Sequence, residues 1–214
     1  MPSIITHAAV PLALWCAADR GRIPPRLLAA GVIAAMLPDA DVLAFALHIP
    51  YADAFGHRGA SHSLLFACVL AAVAAVLAFF GSRRPWSTHR SSGSRRPWSA
   101  VLCQPRLAPT KAGSTVASTL QTAVFVFVCA ASHPLLDAMT SGGLGVALAW
   151  PWSEQRFFAP WRPIRVSPFA PQFFSARGVS TLLSELRWVW LPLATAVVAW
   201  KLIQPAPAAP RDLS

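Results

Sequence analysis

Charged residues are scarce in this chain of 214 residues, and acidic residues are especially few. Only 12% of the residues are charged, with 8 Asp and Glu against 18 Lys and Arg, whereas 55% are hydrophobic. A soluble domain carries about 25% charged residues, so the apolar side chains here exceed what one small soluble core can bury. The composition therefore argues against a soluble domain and indicates a membrane protein, in which lipid surrounds the surplus apolar surface.

Several familiar motifs are also missing. The four cysteines are scattered without a C-x-x-C pair, which argues against a cysteine-bound zinc or redox site. No G-x-S-x-G stretch is present, so a serine mechanism using Ser61 or Ser132 lacks its usual framework. No Lys or Arg precedes the apolar residues 4–18, as a secretory signal would require, and we interpret this segment as a retained helix.

Apolar runs long enough to suggest membrane helices occur five times. They predict an all-α, polytopic bundle with about four to five membrane helices, because isolated spans must satisfy their own backbone hydrogen bonds. The runs cover residues 4–18, 27–49, 62–80, 115–132 and 188–203. An irregular segment rich in Pro and aromatic residues, 150–178, is expected to lie at the membrane interface, where Trp is enriched.

We expect one membrane-embedded domain, 1–203, interrupted by a basic, disordered loop at 81–114 and followed by a disordered tail at 204–214. The loop contains the hexapeptide Ser-Arg-Arg-Pro-Trp-Ser twice. It can attach to anionic lipid or nucleic acid, or simply form a solvated cytoplasmic loop. The net charge of +10 would suggest nucleic acid in a soluble protein, but the basic residues lie mainly between apolar runs, so no specific nucleic-acid partner is predicted.

Alternating the five runs across the membrane places twelve Lys and Arg on one side and six on the other. The positive-inside rule then makes the more basic side cytoplasmic. The chain is therefore expected in the inner membrane as a multi-pass protein. Its polar motifs, described next, fall on the opposite, non-cytoplasmic side.

Four polar motifs meet at this same end of the alternating helices, in the stretches SIITHAAV, LPDADV, HRGASHS and SHPLLD. Their histidines and aspartates are His7, Asp39, Asp41, His57, His62, His133 and Asp137. Neutral imidazole and carboxylate are the usual ligands of catalytic zinc. The motifs predict a divalent-metal centre, with zinc favoured and manganese or magnesium as alternatives. Seven candidates exceed the needs of one tetrahedral ion, so either two ions bind or some residues orient the ligands.

Each motif alone also has an ordinary structural explanation. A lone histidine such as His7 is usually satisfied within a helical core, and the LPDAD carboxylates can simply end a helix in water. The HRGASHS stretch can form a polar interfacial loop. The pair His133 and Asp137 is more informative, because residues four apart share one helix face and can present an imidazole and a carboxylate to one metal.

Two further residues are assigned catalytic roles. Asp41 is the predicted general base, because a carboxylate not needed as a ligand can accept a proton. Arg58 is predicted to hold an anionic substrate group, since guanidinium matches phosphate and carboxylate oxygens. Gly59 is expected to let the backbone bend so that His57 and His62 converge.

The order of these motifs, with WPWS and R-F-F-x-P-W downstream, resembles the YdjM-like family of membrane-bound, metal-dependent hydrolases. That family is also described as LexA-binding and inner-membrane-associated. The resemblance covers roughly residues 1–80 and 115–170. It implies metal-ligand or catalytic roles for His7, Asp39, His57, His62, His133 and Asp137.

The resulting prediction is a membrane-bound hydrolase whose metal lowers the pKa of bound water to ~7. A site at the lipid surface suggests an amphiphilic ester or phosphoester as substrate, with membrane lipid as its surroundings. One alternative is a divalent-metal transporter or sensor, although few polar residues continue along the helices. Another is a membrane-anchored interaction protein that binds a regulator through 81–114.

Overall fold

The computed structural model describes residues 1–18, 22–82, 111–168 and 172–204, and these form a bundle of α-helices with two isolated β-bridges. The all-α prediction is confirmed. The helices are α1 (Ala9–Ala17), α2 (Pro25–Met36), α3 (Leu43–Ala46), α4 (Leu64–Ser82), α5 (Lys111–Ala138), α6 (Ala176–Glu185) and α7 (Leu191–Ile203).

Short 3-10 helices extend three of these helices at the ends that carry the polar motifs. They cover Ile4–Ala8 before α1, Leu37–Val42 after α2 and Ala60–His62 before α4. A π-helical turn, Leu186–Trp190, joins α6 to α7.

Within the described residues, four continuous helical segments are long and apolar enough to cross a membrane. They are Pro25–Ala46, Leu64–Gly81, Val116–Ala138 and Ala176–Ile203, and Ile4–Ala17 forms a shorter apolar helix. Large apolar side chains such as Leu77 and Phe80 on α4 are more than 60% exposed, as expected of helices that face lipid.

The bundle is centred on α5, which packs against α4 and α2. Small residues fill this interface, and Ala35 and Cys129 are fully buried. A side chain at Gly31 would clash with the Phe125 ring and come within 3.0 Å of Cys129 Sγ, so glycine permits the close approach of α2 and α5.

The polar connection after α5 is irregular through residue 168, as predicted, but helix starts earlier than the predicted run at 188. Ser175 caps α6, its hydroxyl accepting a hydrogen bond from the Arg177 amide at 3.3 Å. The apolar run missed α6 because Arg177 and Glu185 interrupt its hydrophobicity. Apart from its ends, which belong to α4 and α5, the predicted loop 81–114 lies outside the described residues, as does the tail beyond residue 204.

Candidate metal centre

Four side chains from separate chain segments converge where the 3-10 helices meet α5. They are Asp39, His62, His133 and Asp137, whose ligand atoms all lie within 4.8 Å of one another. All four are at least 97% buried. Asp39 lies in the turn after α2, and His62 ends the turn before α4. His133 and Asp137 lie one turn apart on α5, as their spacing predicts.

The donor atoms are spaced like the ligands of one ion. His133 Nε2 lies 2.9 Å from His62 Nε2 and 3.4 Å from Asp39 Oδ1, and His62 Nε2 lies 3.2 Å from Asp137 Oδ2. Ligand atoms bound at ~2.0–2.1 Å to a tetrahedral zinc ion are separated by about 3.3 Å. The residues present therefore fit a single metal ion.

The hydrogen bonds on the far sides of the rings orient both histidines for binding. His133 Nδ1 donates to the Ala35 carbonyl at 2.7 Å, and His62 Nδ1 lies 3.1 Å from Asp41 Oδ2. With both Nδ1 atoms protonated, each neutral ring presents a lone pair at Nε2. Both oxygens of Asp39 are buried without a hydrogen-bond donor. The Nε2 atoms and the carboxylate oxygens that converge would then all be hydrogen-bond acceptors. Burying them together is unfavourable unless a cation lies between them.

A proton supplies positive charge when no ion does. Burial alone would lower the pKa of His62, but the carboxylates of Asp137 and Asp41 raise that pKa to about 9. The metal-free centre therefore holds an imidazolium at neutral pH, and an ion must displace this proton to bind.

His7 lies at the edge of this group. Its Nε2 is 3.7 Å from Asp39 Oδ2 and 3.7 Å from Asp137 Oδ1, and its ring stacks on that of His133 with centroids 3.7 Å apart. Both nitrogens of the ring are buried without a hydrogen-bond partner. The imidazole thus faces the same point as the four converging residues, from a slightly greater distance.

Asp41 and His57 lie behind His62. Asp41 Oδ1 is 2.5 Å from His57 Nδ1, while Asp41 Oδ2 accepts from the Arg58 amide at 2.9 Å and from the Ser61 hydroxyl at 2.7 Å. Together with the contact to His62, both carboxylate oxygens are engaged. The predictions that Asp41 is a base and His57 a metal ligand stay predictions. In the structure Asp41 contacts His62 on the side of the ring away from the four converging ligand atoms, and His57 lies behind Asp41.

Arg58 is completely buried, whereas its guanidinium was predicted from the sequence to contact an anionic substrate group. Its Nε lies 3.0 Å from Asp137 Oδ2, and its two terminal nitrogens donate to the Gly142 carbonyl at 3.0 Å and the Thr140 hydroxyl at 3.1 Å. Its backbone is left-handed, with φ of 62°. The bend expected at Gly59 thus involves both residues. Gly59 has φ of −86° and ψ of −129°, outside the usual allowed regions, and any side chain there would clash with the Ala54 carbonyl.

Two residues that hold the segments of the site in position were not predicted from the sequence. The first is Arg156, which was considered from the sequence only as one of the basic residues that set the membrane orientation. It donates to four backbone carbonyls, those of Tyr51, Asp53, His57 and Arg58, at 3.0 to 3.2 Å. These bonds hold the loop that contains His57 against the connection after α5.

The second is Glu185, a fully buried carboxylate that accepts from the Ser3 amide at 2.5 Å, the Ser3 hydroxyl at 2.6 Å and the Thr6 hydroxyl at 2.7 Å. It fixes the turn that carries His7. A lone acid beside an apolar run is the signal that could have revealed it.

The family match extends beyond the motifs that suggested it, over most of the chain. A family model described as "YdjM inner membrane protein" matches residues 1–208. The Escherichia coli (strain K12) protein described as "Inner membrane protein YbcI" is 43% identical over 204 residues, covering 94% of this chain and 99% of that protein. No solved structure matches the chain. The resemblance predicted from the motifs is confirmed, and the chain belongs to the YdjM family of inner membrane proteins.

Proposed function

We propose that this chain is a membrane-bound, metal-dependent hydrolase, and that Asp39, His62, His133 and Asp137 hold one divalent ion, with zinc favoured. The convergence of four buried ligand atoms with the spacing of one coordination sphere carries the proposal. Two imidazoles with two carboxylates make a donor set that suits zinc, while the carboxylates also admit manganese.

Charge balance favours one ion over two. The site contains three carboxylates, those of Asp39, Asp41 and Asp137, and the buried guanidinium of Arg58, which pairs with Asp137. With neutral imidazoles, these side chains carry a net charge of −2, which one divalent ion neutralises. A second divalent ion would leave an excess positive charge in a buried site, which is costly.

A bound divalent ion supplies Lewis-acid chemistry, polarising a carbonyl or phosphoryl oxygen and making water more acidic. His7 is placed to accept a proton at Nε2, because this atom faces the ligand cluster and has no hydrogen-bond partner. We therefore assign His7 the role of proton acceptor, in place of the base predicted at Asp41.

The surrounding residues hold the ligands in position. Asp41 fixes the orientation of His62, the Ala35 carbonyl fixes His133, and Arg58 holds Asp137. Such partners set the tautomer and basicity of the ligands. Arg58 is thus assigned a positioning role in place of substrate binding.

An amphiphilic ester or phosphoester remains the proposed substrate class. The ligands lie at the ends of membrane-length helices, beside a connection with exposed aromatic residues such as Trp152 and Trp161. Aromatic side chains of this kind favour the membrane interface, where the ester groups of lipids lie. The excess of basic residues on the opposite side supports a non-cytoplasmic position for the site, and reporter fusions near residue 150 test that orientation.

A second candidate is a metal-binding protein without hydrolytic activity, such as a sensor or carrier. Complete burial of the four ligands favours it, because a closed site is typical of ions that do not turn over substrate. Transport has less support, since α4 is apolar beyond Ser63.

The decisive experiment compares the chelator-stripped and metal-reloaded protein on a panel of amphiphilic esters and phosphoesters. His62→Ala removes a proposed ligand, and His48→Asn serves as the matched control, because His48 is exposed and asparagine tolerates its left-handed backbone. We expect hydrolysis only in reloaded wild type and in the control. Activity that survives metal removal refutes the proposal, and stoichiometric metal without any hydrolysis favours the second candidate.

A further inference from the structure

A surface cavity of about 480 Å³ lies between the connection after α5 and the start of α6. Its lining includes three arginines, Arg162, Arg165 and Arg177, together with the hydroxyl residues Ser141, Ser180 and Thr181. None of the proposed metal ligands lines this cavity, which we call the arginine cavity. It is therefore a candidate for a second, separate binding site.

Within the described part of the chain, no ion pair neutralises the three guanidinium groups. Among the residues that the structure describes, no carboxylate lies within 4.0 Å of these groups, although the Arg162 guanidinium stacks over the Phe158 ring at 4.7 Å. The acids nearest in sequence are Glu154 and Glu185. No ion pair joins Glu154 to these arginines in the described part of the chain, and Glu185 is buried and engaged by Ser3 and Thr6. Three like charges around one concave surface repel one another, and an anionic ligand relieves that repulsion.

The cavity walls are tied to each other and to the metal centre. The Ser141 amide donates to the Ile164 carbonyl at 2.9 Å, and the Arg165 amide donates to the Ser184 hydroxyl at 3.0 Å. Ser141 also lies four residues after the proposed ligand Asp137 on the same chain segment. The arginines are thus carried on backbone that the hydrogen bonds hold in place, which pre-organises the site.

The level of the cavity relative to the membrane points to a lipid-like ligand. Arg177 lies in the first turn of the membrane-length segment Ala176–Ile203, and Phe174 just before it is 90% exposed. An aromatic residue beside an arginine at a helix end is typical of the headgroup level.

An apolar cavity of about 330 Å³ adjoins the arginine cavity along the chain, lined by residues that include Ile4, Ile5, Phe173 and Phe174. Val166 lines the arginine cavity, and the next residue, Ser167, lines the apolar one. A ligand with a charged head and an apolar tail matches this adjacent pair of surfaces.

We propose that the arginine cavity binds the phosphate group of an anionic amphiphile, with guanidinium groups and hydroxyls as hydrogen-bond donors to its oxygens. This binding site does not depend on hydrolysis at the metal centre. A free phosphate group carries the same chemistry, and the experiment below separates the two sources.

The test is calorimetric titration of the full chain in a neutral detergent with three probes: a short-chain phosphatidylglycerol, a short-chain phosphatidylcholine and inorganic phosphate. The variant Arg165→Gln/Arg177→Gln removes two of the cavity's charges. Arg187→Gln is the matched control, because Arg187 is exposed on the adjoining turn, stacks over Trp188 and does not line the cavity. Metal content and thermal unfolding of each variant establish that it is folded.

Wild type and Arg187→Gln should bind phosphatidylglycerol with equal affinity, and the double variant at least tenfold more weakly, since each lost charge-assisted contact is worth about tenfold. Phosphatidylcholine, whose phosphate is paired with a cationic group, should bind more weakly than phosphatidylglycerol. Inorganic phosphate that binds as tightly as phosphatidylglycerol, and competes with it, would support the phosphate site but overturn the lipid assignment. Equal affinities in wild type and the double variant, or an equal loss in Arg187→Gln, would overturn the proposal.

Discussion

Replacing Asp41 with asparagine separates the two roles that sequence and structure suggest for this carboxylate. In the structure it accepts from His62 Nδ1, the Arg58 amide and the Ser61 hydroxyl, and it lies 2.5 Å from His57 Nδ1. Asparagine offers one acceptor oxygen in place of two and turns an amide group toward one set of donors.

The expected effect is a loss of metal affinity. Removing the orienting partner of a metal-bound histidine typically costs 10–100-fold in affinity, or about 1.4–2.7 kcal/mol. We expect the upper end of this range for Asp41→Asn, because the same carboxylate also anchors the backbone between the two histidines of the loop. The affinity is measured by competition with a chromophoric chelator.

Asp53→Asn is the control, since Asp53 is exposed in the same loop and its side chain accepts from the Phe55 amide at 3.0 Å. Its metal affinity should match that of wild type. If Asp41→Asn keeps wild-type metal affinity while turnover collapses, Asp41 is a base as the sequence predicted, and the positioning role is wrong.

Two further predictions follow from the structure. The pKa of His62 is raised to about 9, so the metal-free centre holds a proton below that pH, and each ion bound at neutral pH should release about one proton. The apparent metal affinity should therefore rise about tenfold per pH unit up to pH 9, which calorimetry in buffers of different ionisation enthalpy measures. A metal affinity that does not change with pH would contradict this prediction. Glu185→Ala leaves three buried donors of Ser3 and Thr6 without an acceptor, so the free energy of unfolding, measured by thermal unfolding in detergent, should fall by about 3 kcal/mol. Glu185→Gln should lower it by less, and equal losses in the two variants would argue against the hydrogen-bonding role.

The general architecture was predictable from the sequence because lipid imposes strong constraints. Long apolar runs with few charges predict helices, and alternation of these helices across the bilayer then brings the polar motifs to one end. The spacing of His133 and Asp137 also predicted their shared helix face. These features depend on periodicity and length, which a sequence displays directly.

The residue pattern alone did not predict which polar residues converge and which lie behind them. Asp39 and Asp41 stand in the same short motif, and only the family resemblance set Asp39 apart. The 3-10 turn that carries them directs Asp39 to the ligand cluster and Asp41 to the far sides of the two histidines. The burial of Arg58 depends on a left-handed backbone and on acceptors from residues more than 80 positions away. Such tertiary contacts leave no local pattern in the chain.

The central claim is that four residues hold one divalent ion, and metal analysis of purified protein tests it most directly. Wild type and His48→Asn should contain one ion per chain after loading with zinc, whereas His62→Ala and Asp137→Ala should each contain far less. Unchanged thermal unfolding of one of these two variants in metal-free buffer would show that the loss is local. Equal metal content in wild type, His62→Ala and Asp137→Ala would contradict the assignment of the site.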